Sequence, residues 1–367
     1  MLLIIFARLN GGLTMNIREL RNMFPALSRT VYGKQLVYFD NAATAQRSQS
    51  VIDKWTQLTI GANANIHRAV HKLAVDATDE YESTRDAVKE YINAAAREEI
   101  VFTSGTTGSI NLVAFSFGET FVNKGDEIIV SESEHHSNIV PWQMLCQRKG
   151  AVLRVLHVDE DGHLNLEELK SLLNPKTRIV AVTQISNVLG ILNPVKEIVS
   201  ICHSAGCPVL IDGAQGMVHE GVDVQDVDCD FYAFSGHKLY AATGTGVLYG
   251  KRKWLDQMVP YQGGGEMIAT VRFSGTTYAP LPEKFEAGTQ NINAIPTLEP
   301  AIEMLKLMKD KELLNAQEAV SQYLLHALTS NPRIRLYGVP RGTETKIPLF
   351  SFSVEGAHHE DLALILD

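Results

Sequence analysis

From about residue 100 onward, short apolar runs alternate with stretches of helical period. Ile100-Val101-Phe102-Thr103, Glu127-Ile128-Ile129-Val130, Ala151 to Val158, Ile179 to Thr183 and Pro208-Val209-Leu210-Ile211 read as strands. Helical stretches are expected from Gly108 to about Phe117 and from Pro194 to Ala205, the second stopped by Gly206. Two further strands, Phe231-Tyr232-Ala233-Phe234 and Gly246-Val247-Leu248-Tyr249, flank a loop. This alternation predicts an α/β fold around a mostly parallel central sheet. Ligands of open α/β sheets sit at the carboxyl ends of the strands, and the polar motifs of this chain fall at those ends.

The pattern changes after about Ala294. Pro300 to Leu328 reads as one long helix, and Pro348 to Val354 alternates like a half-exposed strand. His358 to Asp367 begins an amphipathic helix with no glycine or asparagine stop, so the pattern reads as cut short. A large domain is expected over residues 37–294. A smaller α+β domain, incomplete at its C-terminal end, is expected from residues 15–36 and 295–367. At the other end, Leu2 to Phe6 is too short to span a bilayer and lacks the flanks of a signal peptide. Met15 opens an amphipathic segment, and Gly11-Gly12 can be encoded by a ribosome-binding-like GGA-GGN. Residues 1–14 are therefore expected to be an upstream misreading or an extension.

Composition narrows the function classes. The 367 residues are 45% hydrophobic and 20% charged, as in ordinary globular proteins. A net charge of −9 argues against nucleic acid as a partner. Four cysteines, Cys146, Cys202, Cys207 and Cys229, are too few for a disulfide framework. They favour a reducing compartment, and a cytoplasmic protein is expected. The short N-terminal apolar run likewise leads us to expect no membrane partner.

The candidate chemistry lies around Lys238. Asp212-Gly213-Ala214-Gln215 follows a buried strand, and 26 positions later Lys238 closes Ser235-Gly236-His237-Lys238. A strand-end Asp and an isolated loop Lys suit pyridoxal 5'-phosphate (PLP). The Lys forms a Schiff base with the aldehyde, and the Asp keeps the pyridine nitrogen protonated. Gln215 can reach the phenolic oxygen, and His135 can stack on the ring. Ser104-Gly105-Thr106-Thr107 joins a strand to a helix, where glycine, hydroxyls and a helix N-terminus favour a phosphate dianion. Ser235 and His237 are further phosphate donors. Taken singly, Asp212 also fits a turn, Lys238 a surface loop and Ser104 to Thr107 a helix cap. Glu134-His135-His136 is a poor metal site, because adjacent side chains on one strand point to opposite faces.

These residues resemble those of the SufS/CsdA-type cysteine desulfurases, in the class V aminotransferase form of PLP fold type I. The matching stretches are Tyr38 to Ala43, Asn65 to Arg68, Thr103 to Thr107, Glu134 to Trp142, Ser186 to Gly190, Asp212 to Gln215, Phe231 to Tyr240, Gly263 to Gly265 and Phe285 to Asn291. The resemblance implies that Lys238 binds the cofactor and shuttles the Cα proton, with His135 stacking and able to move protons. Asp212 would hold the pyridine nitrogen and Gln215 the ring oxygen. Thr106, Thr107, Ser235 and His237 would bind the phosphate. Thr289 would reach the phosphate of a partner subunit, implying a homodimer, and Asn187 would lie near the substrate carboxylate. The implied reaction turns L-cysteine into L-alanine and an enzyme persulfide. The sulfur then passes to an acceptor of the SufE or SufU kind for iron–sulfur cluster assembly. L-selenocysteine is an alternative substrate.

The sequence also departs from that family. The expected nucleophile, in an Arg-x-Gly-x-His-Cys stretch, and a carboxylate-binding arginine both belong beyond Asp367. None of the four cysteines substitutes by context, and all read as buried or incidental. Ser104 and Gly108 stand where relatives often have arginine and glutamate. The alternatives are a PLP-binding chain without desulfurase activity, acting as a partner-binding subunit or non-functional, and another class V enzyme such as an epimerase or selenocysteine lyase.

Overall fold

Seven strands assemble into one sheet, which we label in chain order: β1 (Ile100–Thr103), β2 (Glu127–Ser131), β3 (Val152–Leu156), β4 (Thr177–Thr183), β5 (Val209–Asp212), β6 (Phe231–Ser235) and β7 (Gly246–Gly250). The structure is a computed structural model and describes residues 17–309, 311–338 and 346–367. The reading of residues 1–14 as a misreading or extension lies outside the described residues. The spatial order is β1-β7-β6-β5-β4-β2-β3. Only β7 runs antiparallel to its neighbours β1 and β6; the other pairs are parallel. The expected α/β fold with a mainly parallel sheet is what forms.

Successive strand residues point to opposite faces, and both faces are covered here. Ile129, Val180 and Ile211 enter one buried cluster, while Ile128, Ile179 and Leu210 enter the other. Phe117 and Trp142, on flanking helices, are almost fully buried in the second. Burying an aliphatic or Phe-sized side chain stabilises by roughly 1.5–3 kcal/mol. The register sets the edge where the site lies. Thr183 pairs with Asp212, Asp212 with Ala233, and Ser235 with Gly246. The polar ends of β4, β5 and β6 therefore emerge at nearly one level.

Two helix expectations need correction. The helix after β1 runs Thr106–Phe121, starting earlier and ending later than expected. Gly105, at φ 142, lets the chain turn directly into it. The helix continues through Gly118, where a Cβ would stand 2.4 Å from Leu145. The stretch expected as one helix from Pro300 to Leu328 is instead two, Leu298–Met308 and Lys311–Thr329. The first buries Ala301, Ile302 and Leu305 in the core, whereas no described side chain of the second is buried. The strand expected over Pro348–Val354 is shorter, Ser351–Val354, and pairs antiparallel with Ile334–Tyr337. Among the described residues, no helix is long and apolar enough to cross a membrane.

Candidate active site

A cavity of about 470 Å³ opens at the carboxyl edge of β4, β5 and β6, within the ~300–1,000 Å³ usual for ligand sites. Asp212 ends β5 and is buried. Its Oδ1 accepts the Ala214 N–H at 2.9 Å. The turn after it depends on two glycines. A Cβ on Gly213 would stand 2.0 Å from the Tyr232 ring, and one on Gly216 would stand 2.1 Å from Gln184 Oε1. Those approaches press the Asp212–Gln215 turn against the core. Lys238 ends the short 3-10 turn Gly236–Lys238 that follows β6, and it is half-buried.

Thr106, Thr107, Ser235 and His237 line the same cavity. Thr106 and Thr107 open the helix Thr106–Phe121, which therefore begins at this cavity. Thr106 N–H donates to Ser235 Oγ at 2.7 Å, and the two hydroxyls lie 2.8 Å apart. A Cβ on Gly246 would stand 2.3 Å from Gly105 Cα, so β7 packs backbone to backbone behind this loop. His237 Nδ1 lies 3.1 Å from Thr44 Oγ1, which holds the ring toward the same wall.

Electrostatically, the cavity disfavours its own charges. Burial pushes the Asp212 carboxyl up, opposed by the Ala214 N–H and by Lys238 and His135. Burial pushes Lys238 down, opposed by Asp212. His135 and His237 are both lowered, chiefly by burial and also by nearby cations. A site that suppresses both its acid and its amine is completed by a ligand that brings opposite charges. PLP fits this donor set: a cationic ring nitrogen suits Asp212, an aldehyde suits an amine of lowered pKa, and a dianion suits the helix N-terminus.

Nine of the ten residues singled out from the sequence line this one cavity: Thr106, Thr107, His135, Asn187, Asp212, Gln215, Ser235, His237 and Lys238. Thr289 does not. It is exposed and faces a separate cavity of about 240 Å³ with Ser104 and Gly108. Gln215 Nε2 donates to the Ala42 carbonyl at 2.7 Å, which anchors it to the Tyr38–Ala43 stretch. The two histidines are not strand neighbours, as expected, but lie on a turn. His135 caps the 3-10 turn His136–Asn138, its Nδ1 accepting the Ser137 N–H at 3.1 Å. Sequence reasoning missed Thr44 and Thr183. Thr183 ends a strand, and that position was a usable signal; the approach of Thr44 to His237 spans 193 residues and gave none.

All four cysteines are buried and none lines the cavity. Burial raises the Cys146 thiol and pushes Cys202 to about 12, and it raises Cys207 and Cys229 as well.

Residues 37–367 match the family described as Aminotransferase class-V, and the chain belongs to that family. Within it, the chain is 46% identical over 352 residues to a cysteine desulfurase of Pectobacterium atrosepticum, covering 96% of this chain and 86% of the relative. It is 45% identical over 356 residues to a cysteine desulfurase of Escherichia coli O8, covering 97% and 87%. Among solved structures, the cysteine desulfurase CsdA of Escherichia coli superposes with a TM-score of 0.83 at 37% identity, covering 96% and 86%. The apo cysteine desulfurase of Thermococcus onnurineus NA1 gives 0.88 at 33% identity, covering 97% and 87%.

Proposed function

We infer that this chain is a PLP-dependent cysteine desulfurase. The observation that carries the reading is a single cavity that joins a half-buried lysine of lowered pKa, a buried aspartate and a helix N-terminus. When bound, PLP supplies an electron sink that makes the substrate Cα proton removable. The residues of the chain do the rest. Asp212 would hold the positive ring nitrogen, Gln215 would meet the ring oxygen, and His135 would cover the ring face. Thr106, Thr107, Ser235 and His237 would hold the phosphate, and Asn187 would meet the substrate carboxylate. Burial lowers the pKa of the Lys238 amine, against the pull of Asp212, which suits it to take up the Cα proton.

Overall, the C–S bond of L-cysteine breaks, sulfur passes to a thiol to give a persulfide, and L-alanine leaves with the proton. The accepting thiol is none of Cys146, Cys202, Cys207 or Cys229, since each is buried away from the cavity. We further propose that a second copy supplies Thr289 to the phosphate site, and that the sulfur goes to a SufE- or SufU-like acceptor in the cytoplasm. Residues 37–294 would form the cofactor-holding unit, with 15–36 and 295–367 as the smaller one.

The test is titration of the cofactor-free protein with PLP, followed by borohydride reduction and peptide mapping. A visible band that L-cysteine alters and L-serine leaves unchanged, with the label on Lys238, is expected. A label on another lysine, or no band, would defeat the assignment.

A further inference from the structure

Glu134 immediately precedes His135, is 8% exposed, and has no part in the roles above. Its Oε1 accepts the Thr183 N–H at 2.7 Å and meets Ser131 Oγ. Its Oε2 accepts from Asn138 Nδ2 at 2.7 Å. Asn138 Oδ1 in turn accepts the Trp142 indole N–H at 2.9 Å. Asn138 and Trp142 are both fully buried. One carboxyl thus ties together the end of β2, the end of β4 and the turn His136–Asn138. Thr183 and His135 both stand on the cavity wall.

The direction of these bonds is determined. A peptide N–H and an indole N–H can only donate. The indole turns Asn138 Oδ1 toward Trp142, so Nδ2 must face Glu134. Both Glu134 oxygens are therefore obliged to accept. A protonated Glu134 keeps both bonds, because its proton can go to Ser131 Oγ, and Ser133 Oγ lies 3.1 Å beyond. Burial pushes this carboxyl up to about 8, and Asp212 adds to the rise.

We propose that Glu134 is a positioning residue of the site, whose two acceptor oxygens hold His135 and Thr183 in place and which an amide cannot replace. The role rests on the reading that the cavity holds PLP. The isosteric change Glu134→Gln sets an NH₂ group against either the Thr183 N–H or the Asn138 NH₂. Adding Asn138→Asp reverses that polarity. The new amide then donates to a carboxylate that still accepts from Trp142, and its oxygen still accepts from Thr183.

The experiment titrates PLP into the cofactor-free wild type, Glu134→Gln and the Glu134→Gln/Asn138→Asp pair. It reads half-saturation from the visible band and the unfolding temperature without PLP. A buried donor left unpaired is expected to weaken PLP binding by about tenfold or more. The paired variant should recover most of that loss, and unfolding temperatures should follow the same order. If Glu134→Gln does not fold, the paired variant, which carries the same amide, must fold and bind PLP. A single variant equal to wild type, or a paired variant no better than the single one, overturns the proposal. A wild type that takes up no PLP defeats the cofactor reading instead, and with it the role given to Glu134.

Discussion

Removing the Glu286 carboxylate should cost this fold more than almost any other single polar change. Glu286 lies in the Phe285–Asn291 stretch that carries Thr289, and it is 4% exposed. Its oxygens accept from Arg85 Nη1 at 2.8 Å and Nη2 at 2.9 Å, from Phe102 N–H at 2.7 Å and from Tyr81 O–H at 3.2 Å. Arg85 is fully buried in the helix Lys72–Tyr91. Burial works against its charge, but Glu286, with Tyr81 and Glu82 adding to it, holds the guanidinium well above its ordinary pKa. Breaking one side of a buried ion pair costs about 3–5 kcal/mol. Arg85 keeps Glu82, 3.1 Å from Nε, and the Ile100 carbonyl, 2.8 Å from Nη1. With those partners left, Glu286→Ala should sit at the lower end, about 3 kcal/mol. Urea unfolding reads this as a lower midpoint at unchanged slope. Glu286→Gln keeps an acceptor for Phe102 N–H and should lose less. A loss below about 1 kcal/mol for Glu286→Ala would equal an ordinary surface pair and would refute the view that this pair anchors the loop.

Three other outcomes are expected. Gly246→Ala would press a Cβ to 2.3 Å from the Gly105 backbone. It should cost about 1–3 kcal/mol by overpacking and weaken PLP binding, and a PLP titration identical to wild type would contradict this. Glu82 is held at about 2, against an ordinary 4.5, because hydrogen bonds from His67 and Arg85 outweigh the opposing effect of burial. Its folded pKa is depressed, so its stabilisation is complete above about 4.5 and is lost as pH falls toward 2. The advantage of wild type over Glu82→Gln in urea should shrink across that window, and a constant gap would count against it. Finally, protein loaded with PLP and given L-cysteine should carry no persulfide on its four cysteines by peptide mass spectrometry, since all are buried. Persulfide on any of them would show a route to sulfur that the cavity does not offer.

Much of this was readable in the chain because the chemistry is local. Asp212 follows a buried strand within one run of residues, and Lys238 follows another, so both strand-end positions could be assigned from apolar runs and turn residues. Gly105 before Thr106 likewise signals a tight entry into a helix. The helix ends were less legible. Pro300 to Leu328 has helical composition throughout, yet only its first part has a core to face, and nothing local marks where that core ends. Thr289 carries no sign that it lies in a different cavity from Lys238, since its loop position depends on Arg85, 201 residues before Glu286.

The sequence alone determined the α/β alternation, the buried strands and the pairing of an aspartate and a lysine at their ends. These follow from backbone sterics and side-chain period, which act over a few residues. Tertiary structure alone decided that β7 runs backward between β1 and β6. It also decided that Thr44 meets His237, and that Glu134 becomes an acid with a pKa of about 8. Strand order, close approach and desolvation depend on which distant segments exclude water together, and no local pattern encodes that.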